Sequence, residues 1–170
     1  MKTSSTKRFV YITLLSAMAI TINILESTFI PPLPFGIRFG LANIIALITI
    51  EILGVKEMII VNVMRVVIGN LLRGLIFGTT FWIAFGGVVL SSIVLILCKQ
   101  LKSSLLFTST LSSVGHTVGQ VLIVMFIYQQ TSMIAIVPYL LIAAIPTGIL
   151  TGIVANEALK RISKNNLQVR

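Results

Sequence analysis

Residues 80–98 read TFWIAFGGVVLSSIVLILC, nineteen consecutive positions without a charge. A bilayer-crossing helix needs about 20 apolar residues, whereas a membrane β-strand needs about ten and alternates. This run is too long and too evenly apolar for a strand, so it predicts a membrane-spanning α-helix. The pattern repeats outward from it in both directions. Spans are expected at about 10–28, 39–53, 57–72, 80–98, 105–128 and 136–159. The second and third are short and need tilt or burial in protein to reach across.

Composition agrees. The 170 residues are 56% hydrophobic and 10% charged, with a mean hydropathy of +1.07. A soluble domain carries about 25% charged residues. In lipid, only helices or closed barrels satisfy their own backbone. The expectation is therefore an all-α membrane protein, a six-helix bundle forming one integral membrane domain over residues 1–170, in the cell membrane and multi-pass. Val10 to Leu25 is long for a signal peptide and lacks a small-x-small cleavage site, so it reads as a retained first helix.

The net charge of +9 does not point to nucleic acid, because no soluble basic domain carries it. With both termini placed in the cytoplasm, that side holds Lys2, Lys7, Arg8, Lys56, Lys99, Lys102, Lys160, Arg161, Lys164 and Arg170, ten of the thirteen basic residues. This is the bias of the positive-inside rule, and an even number of spans fits it. The connection Ile30 to Gly36 holds three prolines and cannot be helical. Gly54 stops one helix before Lys56 restarts the next.

The remaining polar residues collect by depth. At a rise of 1.5 Å per residue, Arg65 lies about 12 Å into the third span and His116 about 16 Å into the fifth. Gln120 is one turn outward from His116, and Arg73 and Asn70 lie further along the third span. Glu26 closes the first span; Arg38 and Asn43 flank the start of the second. An ionisable group at mid-membrane is costly and marks a functional candidate. Their common depth suggests one outward-facing, net basic pocket, with Glu26, Arg38, Asn43, Arg65, Asn70, His116 and Gln120 as substrate-binding residues. Arginine forks suit carboxylate or phosphate. Structural alternatives stand beside this: Glu26 neutralising Arg38 or Arg65 as an ion pair, Arg73 snorkelling to the surface, and His116 satisfied in a core hydrogen bond.

Glycines recur four apart at 36/40, 74/78, 115/119 and 148/152, a spacing that lets helices approach closely, within the bundle or against a partner. Thr13, Ala17 and Thr21 form a small-residue stripe on the first span, a candidate partner contact. Phe77, Phe81, Trp82 and Phe85 read as an interfacial belt or as a stacking wall for a flat ligand. The lone Cys98 excludes an internal disulfide, and no metal site or cofactor is expected. There is no aspartate and there are four separated glutamates, so no Mg²⁺-diphosphate site is expected. No P-loop, GxSxG, HExxH or CxxC occurs. The residues predict no enzyme and no ATP hydrolysis.

Three stretches together resemble one family: LESTFIPPLPFGIRFGLANI (residues 25–44), MRVVIGNLLRG (64–74) and GHTVGQ (115–120). It is the heptaprenyl diphosphate synthase component I, or Gx transporter, family, whose members resemble the substrate-binding S components of energy-coupling-factor importers. The resemblance covers most of the chain. It implies six helices with cytoplasmic termini, a small-molecule substrate, a transmembrane coupling subunit and a pair of cytoplasmic ATPases as partners. It also implies that Ile30–Gly36 closes over the ligand and that the first-helix stripe meets the coupling subunit. The usual alanine pair there is Ala17 and Thr21 in this chain. The synthase in the family's name conflicts with the absent aspartates, and the residues favour transport of a small anionic or polar molecule. Two rivals remain open: a non-catalytic accessory subunit of a flavin or quinone redox or prenyl-quinone pathway, and a regulatory partner of a prenyl synthase.

Overall fold

The computed structural model describes residues 5–29 and 40–164. Among these the chain is all-α, with helices α1 (Ser5–Phe29), α2 (Asn43–Ile52), α3 (Val55–Leu72), α4 (Thr79–Gln100), α5 (Leu105–Tyr128) and α6 (Val137–Lys164); a 3-10 turn, Thr131–Ile136, leads into α6. The proline-rich connection and Arg38 lie outside the described residues.

Among the described residues four helical stretches are long and apolar enough to cross a membrane: Thr6–Phe29, Thr79–Gln100, Leu105–Tyr128 and Thr131–Ser163. They mark the chain as a multi-pass membrane protein. The two short expected spans differ in kind. α3 has 18 residues but includes Lys56, Glu57 and Arg65. α2 has only ten residues, about 15 Å of helix, which is half a hydrocarbon core. It is instead the buried centre of the bundle. Asn43 and every residue from Ile45 to Ile50 are buried, the behaviour of a helix that is apolar all round. Its Ala46, Leu47, Ile48 and Ile50 pack with Met58, Leu95 and Ala155 from three other helices.

Short links join α2 to α3, α3 to α4 and α4 to α5. Leu75 N–H reaches Asn70 O at 2.8 Å with Gly74 at φ +67°, a left-handed C-terminal cap that turns α3 back towards α4. Gly54 adopts φ +111°, open only to glycine, between α2 and α3. Ser104 caps α5, its Oγ accepting from Phe107 N–H at 3.3 Å. Ion pairs fasten one end of the bundle: Arg8 of α1 to Glu57 of α3 and Lys99 of α4 to Glu51 of α2. Lys56 and Lys102 belong to the same end, as their places at helix ends require.

Glycine sets the tightest crossings. A Cβ at Gly119 would stand 2.5 Å from Gly86 O, and one at Gly148 would stand 2.8 Å from Thr110 Cα. Gly115/Gly119 thus faces α4 and Gly148/Gly152 faces α5, so both pairs serve packing within the bundle. Gly74 and Gly78 instead shape the turn between α3 and α4. α4, α5 and α6 form one closely packed set and α1 lies along α3, while α3 meets α4 over a thin seam. In that seam Val66, Phe81 and Val88 are buried together, with Ile76 beside them.

Candidate functional site

The site lies where the N-terminal three helices face α4 and α5. The inward face of α1 carries Ser16, Ala19, Asn23 and Glu26 at spacings of three and four, so the last turns of an otherwise apolar helix present an amide and a carboxylate to the interior. Glu26 is buried and its two oxygens accept from Gly40 N–H at 2.8 Å and Leu41 N–H at 3.0 Å. These amides precede α2, so the negative charge sits at the positive end of that helix. The carboxylate thereby ties the end of α1 to the start of α2.

Arg65 is 2% exposed, and Val61, Asn62, Val66 and Asn70 of α3 are buried as well. Its Nη2 donates to Asn43 Oδ1 at 3.1 Å. Its Nε and Nη1 are buried without a hydrogen-bond partner among the described residues, as is Asn70 Oδ1. The Asn70 amide is oriented by its Nδ2, which donates to Val66 O at 2.7 Å. Leaving a charged donor unpaired in a buried place is costly, and each such atom calls for a reason.

On α5, His116 and Gln120 are one turn apart and buried. Their Nε2 atoms are 3.2 Å apart. With the Gln120 amide donating, His116 Nε2 is the acceptor and the ring proton sits on Nδ1. Glycine brings the backbone against this ring from two sides. A Cβ at Gly40 would stand 2.8 Å from His116 Cδ2, and one at Gly87 would stand 2.8 Å from His116 Cε1. Gly40 also holds φ +76°.

These groups enclose a small cavity of about 10 Å³, the room of one water molecule. Of the residues expected from sequence, Glu26, Arg65, Asn70, His116 and Gln120 line it. Asn43 stands behind Arg65 and orients it. Arg38 lies outside the described residues. Asn23, Gly40, Ala42, Val66, Ala84 and Val88 also line it and were not expected. Asn23 had a readable signal, being three residues before Glu26 and therefore on its face of the helix. The apolar liners carried none. The lining is mixed: α1, α3 and α5 supply amides, carboxylate, guanidinium and imidazole, while Val66, Ala84 and Val88 make an apolar patch on α3 and α4.

Thr13, Ala17 and Thr21 all lie exposed on the outward face of α1, beside exposed Leu14 and Met18. Thr13 Oγ1 donates back to Phe9 O at 3.0 Å, so that hydroxyl needs no outside partner. The rings of Phe77, Phe81, Trp82 and Phe85 touch one another at centroid distances of 5.3–6.2 Å; only Phe81 is buried. Among the described residues no three His, Cys, Asp or Glu side chains gather as metal ligands.

The sequence profile of the family described as heptaprenyl diphosphate synthase component I matches residues 15–158. No curated protein and no solved structure matches the chain.

Proposed function

We propose a function for this chain from one premise: it belongs to the heptaprenyl diphosphate synthase component I family. The chain is a membrane-embedded substrate-binding subunit, similar to the S components of energy-coupling-factor importers. It takes a small anionic or polar molecule from outside and works with a transmembrane coupling subunit and cytoplasmic ATPases. All six helices belong to the membrane region, α2 within the bundle, and both termini are cytoplasmic with the basic end. It is not itself an enzyme.

One observation carries this reading. A buried arginine keeps two N–H groups unpartnered among the described residues, in a cavity that it shares with Asn23, Asn70, His116 and Gln120. The guanidinium holds an anionic group, the amides and imidazole orient the rest, and Asn43 fixes the guanidinium. The carboxylates support the absence of diphosphate chemistry. Glu51, Glu57 and Glu157 are paired with Lys99, Arg8 and Arg161, and Glu26 holds the start of α2, so none is grouped to bind Mg²⁺.

The test is affinity capture of the tagged chain from mild detergent, with mass spectrometry of what accompanies it. Recovery of a coupling membrane subunit with two ATPases is expected. A redox enzyme or a prenyl synthase in their place overturns the reading.

A further inference from the structure

The division of the cavity lining says more about the ligand than its charge does. Arg65, Asn70, His116 and Gln120 could all serve a water-soluble anion, yet such a ligand has no use for a wall of Val66, Ala84 and Val88. Behind that wall lies the α3–α4 seam, closed by Val66, Phe81 and Val88 with Ile76. On α4, Phe81, Phe85, Val88 and Ser92 recur at spacings of three and four and so share a face. Phe81 and Phe85 are stacked, centroids 6.2 Å apart, and Phe85 is exposed at the outer rim, as is Val67 of α3.

The seam is pinned at one level. Asn62 Nδ2 donates to Ser92 Oγ at 2.8 Å, three residues from Arg65 towards the basic end. Beyond that bond Val66, Phe81 and Val88, with Ile76, form the apolar part of the closure. Lipid tails are as apolar as leucine, so no hydrophobic force holds such a seam shut in a bilayer. A hydrocarbon chain can replace these contacts at little cost, whereas a hydrated ion cannot pass there.

We propose that the α3–α4 seam is a lateral port and that the ligand is an amphiphilic anion. Its carboxylate or phosphate head sits on Arg65 and Asn70, and its hydrocarbon body lies between Val66 and Val88 and runs out past Phe85 into the bilayer. This inference rests on the binding-subunit reading above and narrows its substrate class.

The test uses the full chain in phosphatidylcholine nanodiscs with two probes, a dodecyl phosphate and a dodecanoic acid, each carrying a diazirine on its chain. Photolysis and peptide mass spectrometry locate the crosslinks. Labelling of Val66, Ala84, Phe85 and Val88 is expected to exceed that of the lipid-facing Ile142 and Ile153 at least tenfold. Arg65→Gln is expected to lower seam labelling about tenfold without changing labelling elsewhere, and the better-labelling probe identifies the head group. Val88→Trp, which fills the seam, is expected to abolish it; should that variant fail to fold, Val66→Ala, which widens the seam, is expected to retain or raise it. Equal labelling all round the bundle, or seam labelling indifferent to Arg65→Gln, overturns the proposal. Arg65-dependent thermal stabilisation by inorganic phosphate or acetate without seam labelling also overturns it, and leaves the binding-subunit reading intact. Seam labelling without any captured ATPase does the opposite.

Discussion

Gly119→Ala isolates what glycine contributes to the α4–α5 crossing. The new Cβ would stand 2.5 Å from Gly86 O, 3.0 Å from Gly86 C and 3.0 Å from Leu90 Cβ. The nearest of these is backbone and cannot rotate away. Bringing 2.5 Å to the 3.4 Å of an ordinary contact requires the two helices to part by about 0.9 Å, a gap that forfeits about a quarter to a half of each contact's dispersion energy along the crossing. Overpacking of this kind costs about 1–3 kcal/mol, and a backbone clash belongs at the upper end. Alanine returns about 1 kcal/mol of helix propensity. The net expectation is a loss of about 2 kcal/mol, roughly thirtyfold in the folding equilibrium. Gly115→Ala is the internal control on the same helix. Its Cβ would meet Val94 Cγ2 at 2.9 Å, a side-chain methyl group and not backbone; valine is stiff in a helix, but a χ1 shift of about 30° costs only about 0.5–1.5 kcal/mol, which the gain in propensity offsets to about zero. Reversible unfolding in mixed micelles of dodecyl maltoside and dodecyl sulfate measures both. A Gly119→Ala protein as stable as Gly115→Ala would refute the reasoning, because the crossing would then tolerate a methyl group that the geometry forbids.

Glu26→Gln leaves one acceptor oxygen for two N–H groups and removes the charge, a loss of about 1.5–3 kcal/mol for a charge-assisted bond. Amide exchange at Gly40 or Leu41 should accelerate at least about tenfold; unchanged rates at both would show that the carboxylate does not hold the start of α2. Gly40→Ala meets both a left-handed backbone, a strain of about 1–2 kcal/mol, and the His116 ring at 2.8 Å; displaced His116 ring resonances by nitrogen NMR are expected, and an unmoved ring with full stability would contradict the close approach. Ser109→Ala removes the bonds to Gly148 O and Thr151 Oγ1 at 2.8 and 2.9 Å. Membrane hydrogen bonds average about 0.6 kcal/mol, so a small loss in the same micelle assay is expected, and one above about 2 kcal/mol would contradict that scale.

The long apolar helices were legible because their signal is local: α4 and α5 keep their expected bounds to within about two residues. The short α2 was not, because its start is decided at a distance. The apolar run from Phe39 looks continuous, yet Gly40 and Leu41 give their N–H groups to Glu26, and helix begins only at Asn43. The hydrogen-bond partner of Arg65 was not legible for a similar reason. Sequence offered Glu26, the only carboxylate expected at that depth, which acts on the guanidinium electrostatically, whereas the hydrogen bond goes to the Asn43 amide, 22 residues away in the chain. Glycine spacing read correctly where both residues lie mid-helix, as at 115/119 and 148/152, and misled at 74/78, where the same spacing spans a turn. The apolar cavity wall was invisible because Val66, Ala84 and Val88 differ in no local way from valines and alanines that face lipid.

The distribution of charge around Arg65 bears on which of its two roles the fold favours. A structural ion pair works when both ions spend their hydrogen bonds on each other, since only then does the attraction offset the loss of hydration. Here the carboxylate within the site is engaged by two backbone amides and the arginine by a neutral amide. Glu26 also acts on the guanidinium electrostatically, so the positive charge is oriented and partly balanced, with donor nitrogens still unspent among the described residues. Replacing a quenched pair by apolar residues of similar volume is often neutral or stabilising, whereas removing one member of it is strongly destabilising. An arginine whose hydrogen bonds are not spent on the carboxylate behaves otherwise: Arg65→Leu relieves a buried charge and leaves behind Asn43 Oδ1 and a Glu26 carboxylate still held by the Gly40 and Leu41 amides, so the bundle should lose less than the roughly 3 kcal/mol of a broken buried ion pair. On the binding-subunit reading the same change removes the group that holds the anion. Stability and binding thus separate at this one position, and their separation distinguishes a residue retained for a ligand from one retained for the fold.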